Sequence, residues 1–257
     1  MTAEGPRAST KGSPLGSEAD EAARELEEIN LRLEHASYTD RLTYAVDRWG
    51  ERLLFTSSFG AGSGVLLHLW SQVAPHLPVV FIDTGFLFDE TIAYKERLAE
   101  RLGLSVHVVR PTVARDDFLI EHGADIQAKD PDFCCGINKI EPLAPLLREA
   151  KGWVSGLRRD QSATRADVPI LLPTEEGHIK VHPIATMTAK EAGEYLERHG
   201  IEEHPLRARR YLSIGCWPCT RAVAEGEDER AGRWAGRGKT ECGLHAAVYE
   251  EPPANRR

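Results

Sequence analysis

Short apolar runs alternate with longer amphipathic segments between residues 52 and 200. Short runs rich in β-branched and aromatic residues are typical of buried strands, and longer segments with an apolar stripe are typical of helices. The predicted strands are 53–55, 79–82, 106–109, 152–156, 170–172 and 179–181, and the clearest helices between them are 65–70, 89–102, 137–147 and 188–200. This alternation predicts an α/β fold with a mainly parallel, doubly wound sheet.

The two ends of the chain have different patterns. Residues 1–16 are rich in Gly, Ser, Pro, Thr and Ala, so we expect them to be disordered. Ser17 and Asp20 resemble a capping box that opens a helix to about residue 35, and a second helix is expected at about 39–49. We predict one domain over 17–257. It has an α/β core at 52–200 and an irregular tail at 201–257, which carries cysteines and reaches back over the ligand edge of the sheet.

The totals are those of an ordinary enzyme of 257 residues, with 41% apolar and 28% charged residues. A net charge of −8 argues against general binding of nucleic acid. No apolar run approaches the roughly 20 residues that span a bilayer, and no secretory h-region opens the chain, so we expect no membrane association and a cytoplasmic location. The oligomeric state stays open, a homo-oligomer included.

Arginines are unevenly distributed despite the negative total. They cluster within residues 158–165, 207–210 and 230–237. Such basic patches on an acidic protein suit a small anionic ligand. Ordinary surface charge explains any single arginine equally well.

Five cysteines carry the strongest chemical signal: Cys134 and Cys135 are adjacent, Cys216 and Cys219 form a C-x-x-C pair, and Cys242 stands alone. In a reducing cytosol the two pairs can supply four thiolates to one metal site. Spacing alone leaves zinc and a 4Fe–4S cluster both open. Neighbouring side chains point apart, and this suits separate corners of an iron–sulfur cube better than one zinc ion. Four buried free thiols are the alternative without a metal.

A small-residue loop at 56–64 lies between the first predicted strand and its helix, and it contains Ser57, Ser58 and Gly60. Serine and glycine let the backbone approach a phosphate, and a helix N-terminus favours negative charge. The loop lacks the Gly-Lys-Ser/Thr of a Walker A motif, and an ordinary connection explains it nearly as well. Asp83 and Thr84 end the second strand, where open α/β sheets bind ligands.

Several motifs occur together and in order over residues 52–245. They are Ser57-Ser58-Phe59-Gly60, Asp83-Thr84-Gly85, Cys134-Cys135-x-x-x-Lys139-x-x-Pro142-Leu143, Gly156-x-Arg158-Arg159-x-Gln161-Ser162-x-x-Arg165, Gly215-Cys216-x-Pro218-Cys219-Thr220, Gly226-Glu227-Asp228-x-Arg230-Ala231-Gly232-Arg233-Trp234 and Lys239-x-Glu241-Cys242-Gly243-Leu244-His245. Together they resemble the adenylylsulfate (APS) reductase branch of the phosphoadenylylsulfate reductase family. The sequence departs from the family pattern at Asn138, where a basic residue is usual. This change is expected to alter either the electrostatics at the cysteines or an ion pair on the helix surface.

The resemblance implies the fold of the adenine-nucleotide α-hydrolases and the reduction of APS to sulfite and AMP, in sulfate assimilation and cysteine biosynthesis. It implies a dithiol donor such as thioredoxin. Cys134, Cys135, Cys216 and Cys219 would hold a 4Fe–4S cluster, and their presence favours APS over its 3′-phosphorylated form.

Cys242 is the expected nucleophile, because a thiolate near positive charge, with Lys239 and His245 as plausible neighbours, is reactive. The substrate residues implied by the resemblance are Arg165, Arg230 and Arg233 for the anionic groups, Lys139 and His245 near the sulfate, Ser57, Ser58 and Gly60 at the phosphosulfate or ribose, and Asp83, Thr84 and Gly156 near the nucleoside. Trp234 is expected to pack rather than to stack on the base.

Two other classes of protein share part of this pattern. An ATP pyrophosphatase of the tRNA-thiolating type also combines a phosphate loop with cysteines, but it requires an intact Ser-Gly-Gly-x-Asp-Ser loop, which residues 57–63 do not form. A zinc- or cluster-bearing regulatory module would be expected to show a recognition helix and basic charge. The cluster, if present, is expected to tune the electrostatics at Lys139 and to join two distant segments.

Overall fold

A computed structural model describes residues 14–239, 241, 242 and 244, with side chains described from residue 20 onward. Its α-helices are α1 (Pro14–Glu34), α2 (Tyr38–Trp49), α3 (Gly64–Val73), α4 (Asp89–Leu102), α5 (Arg115–His122), α6 (Ile126–Lys129), α7 (Pro131–Cys135), α8 (Glu141–Glu149) and α9 (Ala189–Arg198). Its strands are β1 (Leu53–Thr56), β2 (Val79–Ile82), β3 (Val106–Val109), β4 (Gly152–Val154), β5 (Leu171–Pro173) and β6 (Ile179–Val181).

The six strands form one sheet in the order β3-β2-β1-β4-β6-β5. All neighbours are parallel except β5, which pairs antiparallel with β6. The predicted mainly parallel α/β sheet is therefore confirmed. The strand order reverses between β1 and β4, and this point of an open sheet leaves a crevice at the carboxyl ends of the strands.

The core lies mainly between the sheet and helices α2, α3 and α9. Helix α3 is apolar around most of its surface, and Trp70 is fully buried with its ring 4.7 Å from that of Phe55 on β1. The indole Nε1 of Trp70 donates a hydrogen bond to the Leu77 carbonyl at 3.0 Å, so this buried polar atom is satisfied. This packing fixes α3, and with it the loop that precedes the helix, against β1.

The termini and connections refine the sequence predictions. Helix α1 begins at Pro14 rather than Ser17, while residues 1–13 of the segment predicted to be disordered lie outside the described residues. Helix α9 begins as predicted, because Thr188 and Glu191 form a reciprocal capping box. From Ile201 to Lys239 the chain forms loops and short 3₁₀ turns without a long helix or a strand.

A π-helical turn, Gly136–Ile140, joins α7 to α8. Such turns insert an extra residue into a helix and re-aim side chains, often at functional sites. Here the turn carries Asn138 and Lys139. Among the described residues, none of the helices is both long enough and apolar enough to cross a bilayer.

Candidate active site

A cavity of about 220 Å³ opens at the carboxyl ends of β1 and β4, where the strand order reverses. We call it the main cavity. The predicted site residues that line it are Ser57, Ser58, Gly60, Thr84, Lys139, Gly156, Arg165, Arg230, Arg233 and Cys242. Segments far apart in the sequence therefore meet at one edge of the sheet.

The loop after β1 is held in a strained conformation by buried contacts. Phe59 has φ +47°, a region that costs a residue with a Cβ about 1–2 kcal/mol. Its ring is fully buried and packs edge-to-face on Phe81 with centroids 5.7 Å apart. The Phe59 N–H donates to Ser57 Oγ at 3.2 Å. Aromatic burial therefore offsets the strain and leaves the loop and the N-terminus of α3 facing the cavity.

Cys242 is half-buried and also lines the cavity, next to Lys139. The Lys139 ammonium donates to Cys242 Sγ at 3.9 Å. A hydrogen bond with Cys135, together with the charges of Lys139 and Arg233, holds the pKa of Cys242 well below that of an ordinary thiol, although burial acts to raise it. The Lys139 ammonium therefore stands where it can stabilise a thiolate at Cys242, beside the cavity.

Glu241 precedes Cys242 and is buried. Arg165 donates to both of its carboxylate oxygens, from Nε at 2.8 Å and from Nη2 at 2.6 Å. Arg230 adds a third bond at 3.0 Å. Burial and the nearby Arg165 lower the pKa of Arg230 to about 10. Glu241 therefore ties the tail to both arginines.

Arg233 lies flat against Trp234, with its guanidinium carbon 4.4 Å from the ring centroid. Its Nε is buried and has no hydrogen-bond partner among the described residues. A Cβ at Gly215 would come within 2.5 Å of the Arg233 Cζ, so glycine is needed there for this packing. Arg233 also lines the main cavity, where a guanidinium suits an anionic ligand.

Lys180 on β6 also fixes the tail. Its side chain is buried over the face of Trp153, and its Nζ donates to the Leu244 carbonyl at 3.0 Å. Burial lowers the pKa of Lys180 to about 8. Lys180 and Arg165 thus hold the chain on either side of Cys242.

Four cysteines line a second, smaller cavity that we call the thiol cavity: Cys134, Cys135, Cys216 and Cys219. Three neighbouring side chains direct hydrogen bonds at these sulfurs. Asn138 lies 3.7 Å from Cys134, Thr84 lies 3.3 Å from Cys216, and Arg237 donates to Cys219 at 3.3 Å. Lys139 and Trp234 line both cavities, so the two lie side by side.

The chemistry of the thiol cavity fits a group held by four thiolates. Within residues 14–239, 241, 242 and 244, no set of His, Cys, Asp or Glu side chains stands in ready-made coordinating geometry. Burial and the nearby Cys216 and Cys219 nevertheless raise the pKa of Cys134 to about 11, because negative sulfurs accumulate in one apolar space. A bound cation or cationic core would relieve that repulsion, and the donors aimed at the sulfurs suit thiolates.

Asn138 is buried in the thiol cavity, donating to the Cys134 carbonyl at 3.0 Å, while its Oδ1 has no partner among the described residues. Of the two effects expected for this position, the structure favours the one on the cysteines. The alternative of an ion pair on the helix surface is wrong.

Of the predicted site residues that the structure describes, Asp83 is not brought to the main cavity. Its carboxylate accepts hydrogen bonds from Arg110 and from the Gly85 N–H. His245 lies outside the described residues. Lys239 pairs with Asp132 at the surface of α7, rather than with Cys242.

Sequence reasoning gave no role to several residues that the structure places at the site: Gln161, Lys180, Ile214, Arg237 and Glu241. Gln161 lies in the same motif as Arg165, and Glu241 directly precedes Cys242. Their position beside these predicted site residues is the sequence signal that could have found them. Lys180 lies within an otherwise apolar strand, and a charge in such a strand is a signal in itself.

Comparisons with known proteins agree with this geometry. The family model described as phosphoadenosine phosphosulfate reductase domain matches residues 52–222. The chain is 42% identical over 230 residues to the adenosine 5'-phosphosulfate reductase of Streptomyces coelicolor, covering 88% of this chain and 93% of that protein. It is 39% identical over 209 residues to the phosphoadenosine 5'-phosphosulfate reductase of Gloeobacter violaceus, covering 80% and 87%.

In fold, the chain is similar to the crystal structure of phosphoadenylyl-sulfate (PAPS) reductase from Candida auris. The TM-score is 0.66 at 23% identity, covering 74% of this chain and 93% of that chain.

Proposed function

Because the chain belongs to the phosphoadenosine phosphosulfate reductase domain family, we propose that it reduces APS to sulfite and AMP through a covalent intermediate on Cys242. Membership makes it an oxidoreductase of sulfate assimilation that acts on a sulfate-activated nucleotide. This assignment takes precedence over the ATP pyrophosphatase and the regulatory module. The proposal concerns the nucleotide used, the nucleophile, the cofactor and the electron donor.

One observation carries the proposal. Cys242, whose Sγ lies 3.9 Å from the Lys139 ammonium, and Arg233 line the same cavity as the Ser57–Ser58 loop. A nucleophile, a cationic donor and a phosphate-type loop thus converge at the ligand edge of an α/β sheet.

Binding of APS would use both sides of the main cavity. The N-terminus of α3 and the loop at Ser58 and Gly60 suit the phosphate oxygens, because backbone N–H groups and the helix dipole favour negative charge. Arg233 and Lys139 suit the sulfate, which must lie near Cys242. Gly156, at the end of β4, leaves room for the nucleoside.

The first step transfers the sulfo group to the enzyme. Cys242 Sγ attacks the sulfur of APS, and the bond between that sulfur and its bridging oxygen breaks. AMP leaves with the electron pair of that bond, and an S-sulfo group remains on Cys242. Positive charge at Lys139 and Arg233 stabilises the oxyanions that crowd together in this step.

The second step requires two electrons from a dithiol protein such as thioredoxin. One donor thiolate attacks Cys242 Sγ, and sulfite leaves with the electron pair of the broken sulfur–sulfur bond. The second donor thiol then attacks the mixed disulfide. The donor leaves as a disulfide, and Cys242 is regenerated as a thiolate.

We also propose that Cys134, Cys135, Cys216 and Cys219 hold a 4Fe–4S cluster. The support is that all four line one cavity, that Asn138 and Arg237 donate to Cys134 and Cys219, and that the Thr84 hydroxyl lies 3.3 Å from Cys216. When bound, the cluster supplies a charged core that acts on neighbouring groups without needing to carry the electrons of the reaction. Lys139 lines both cavities, so it would link the charge of the cluster to the sulfate of the substrate.

Sulfite release from APS tests the proposal, using anaerobically purified full-length protein with thioredoxin as donor. We expect activity in the wild type, iron and inorganic sulfide near four of each per chain, and weaker use of the 3′-phosphorylated nucleotide. Cys242→Ser should lose sulfite release and keep both the iron and the binding of AMP.

Retained activity in Cys242→Ser would contradict the assignment of the nucleophile. Fully active protein without iron would contradict the cluster. Zinc in place of iron would favour a structural metal site, and equal rates with the two nucleotides would contradict the preference for APS.

A further inference from the structure

Glu241 is a buried carboxylate directly before the nucleophile, and nothing in the proposed reaction uses it. Its side chain is 5% exposed. A buried carboxylate is costly unless it is paired, and Glu241 accepts three charged hydrogen bonds from two arginines. The Glu241 carboxylate is therefore held by specific buried partners and not by an incidental contact at the surface.

Arg165 makes three hydrogen bonds to neighbouring side chains of the protein. Its Nε and Nη2 donate to the two oxygens of Glu241, and its Nη1 donates to Gln161 Oε1 at 2.6 Å. Each of its three nitrogens thus has an acceptor within the chain. The two-point pairing fixes both the distance and the orientation of the Glu241 carboxylate.

The neighbouring arginines differ from Arg165. Arg230 reaches only one oxygen of Glu241, at 3.0 Å. Arg233 makes no contact with Glu241 among the contacts of the described residues, and its buried Nε has no partner there. Arg165 therefore makes the two-point contact with Glu241, and Arg230 adds one bond to it. Arg233 lines the main cavity instead.

We propose that Glu241 is a positioning residue. Through Arg165, which also donates to Gln161, it anchors the peptide that carries Cys242. Arg165 then serves the tail rather than the substrate. The inference rests on the proposed reaction for its kinetic consequences, but the anchoring itself does not depend on which nucleotide reacts.

The positioning role of Glu241 predicts a change in kcat without an increase in KM. Glu241→Gln keeps the shape of the side chain and removes the charge that Arg165 grips, so Cys242 loses its fixed placement and kcat should fall at least about tenfold. Because Glu241 is paired with arginines and does not itself contact the substrate, KM should stay unchanged. A residue that merely supports the fold would not separate the two constants in this way.

A second measurement needs no turnover. We expect trypsin to cleave after Lys239 about tenfold faster in Glu241→Gln than in the wild type, because the peptide is released from the sheet. Mass spectrometry of the liberated C-terminal peptide gives the rate. Arg165→Lys, which keeps the charge but loses the two-point pairing, should show the same acceleration and serves if the glutamine variant does not fold.

Glu229→Gln is the matched control, since Glu229 lies in the same segment and also pairs with an arginine, Arg158, at 3.2 Å. Its cleavage after Lys239 should equal that of the wild type. The double variant Arg165→Gln/Glu241→Gln should lose no more kcat than either single variant, because both break one interaction.

Unchanged kcat and unchanged cleavage in Glu241→Gln would overturn the inference. A raised KM with unchanged kcat would do so too, since it would make Glu241 a substrate ligand. A wild type that is inactive with APS would refute the proposed function, while faster cleavage in the variants would still support the anchor.

Discussion

The main cavity has two walls that are constructed differently. The local wall is the loop at residues 56–64, whose shape depends on Ser57, on Phe59 and on the neighbouring strand β2. The composite wall combines Lys139, Arg230, Arg233 and Cys242 with supports as distant as Arg165 and Lys180. The local wall forms when β1 pairs with β2. The composite wall forms only when segments distant in the sequence have folded together.

This difference has a consequence for mutation. In the local wall a lost side chain leaves the backbone scaffold in place, so effects should be modest. In the composite wall each contact closes a long stretch of chain, and its loss frees groups that were fixed only by that contact. Changes to the composite wall should therefore be the more damaging.

The largest effect should come from Cys242. Cys242→Ser should lower sulfite release by at least about a thousandfold, because a serine hydroxyl is a far weaker nucleophile than a thiolate. Ser57→Ala, which removes one hydrogen bond from the local wall, should lower kcat/KM by about tenfold or less. Steady-state rates with APS measure both, and equal losses would remove the distinction between the walls.

Two glycines give the next comparison. Gly215→Ala should lower kcat/KM by about thirtyfold, because its Cβ would stand 2.8 Å from Arg233 Nη1 and force the guanidinium off Trp234. At Gly60 the same addition would approach the Ile214 carbonyl at 3.2 Å, which a small shift can relieve, so the loss should be only a few fold. Titration calorimetry with AMP should show the same order. A larger loss in Gly60→Ala than in Gly215→Ala would mean that the local wall tolerates an added methyl group less well than the composite wall.

Acid should weaken the scaffold under both walls. Burial lowers the pKa of His182 and of His204 to about 4, while an unfolded histidine titrates near 6.5. Between these values the unfolded chain binds protons that the folded chain does not, so stability falls as the pH is lowered through this range. From pH 7 to pH 5 the free energy of unfolding should drop by roughly 2 kcal/mol for each histidine.

Urea denaturation at the two pH values measures this drop. His182→Gln should flatten the dependence, and His107→Gln, on the exposed side of β3, should leave it unchanged. A pH dependence that persists in full after His182→Gln and His204→Gln would place its origin elsewhere.

The smallest effect is expected at Lys180. Lys180→Met removes a buried charge, so thermal stability should stay within about 1 kcal/mol of the wild type or rise. The tail loses the bond to the Leu244 carbonyl, so kcat should fall by only a few fold while Arg165 still holds the other side. A loss as large as that of Glu241→Gln would show that the two anchors act as one unit.

The local wall and the sheet could be predicted from sequence, because their signals are short-range. The run at Val79–Ile82 predicts a buried strand by itself, and the small residues after β1 predict a tight loop. At the end of β2 the same reasoning fails in part. Successive side chains alternate across a strand, so Thr84 faces the cavity while Asp83 turns out to Arg110.

The composite wall could be predicted only as a set of residues, not as a set of contacts. The motifs and the family resemblance identified Arg165, but its separation from Glu241 by 76 positions in the sequence hides their pairing. Arg165 was predicted to bind the substrate, and it does line the main cavity, but its pairing with Gln161 and Glu241 could not be foreseen. Asn138 could not be placed either, because the π-helical turn that sends it inward leaves no local sequence signal.

Trp234 contributes to both cavities, and its indole Nε1 is buried without a partner in the part of the chain that the structure describes. A single fluorophore thus stands between the thiols and the site proposed for the nucleotide. Its emission should respond to iron on one face and to AMP on the other, and the difference from a Trp234→Phe variant isolates it from the other tryptophans. Trp234 fluorescence can therefore measure whether iron binding at the thiols and AMP binding in the main cavity affect each other.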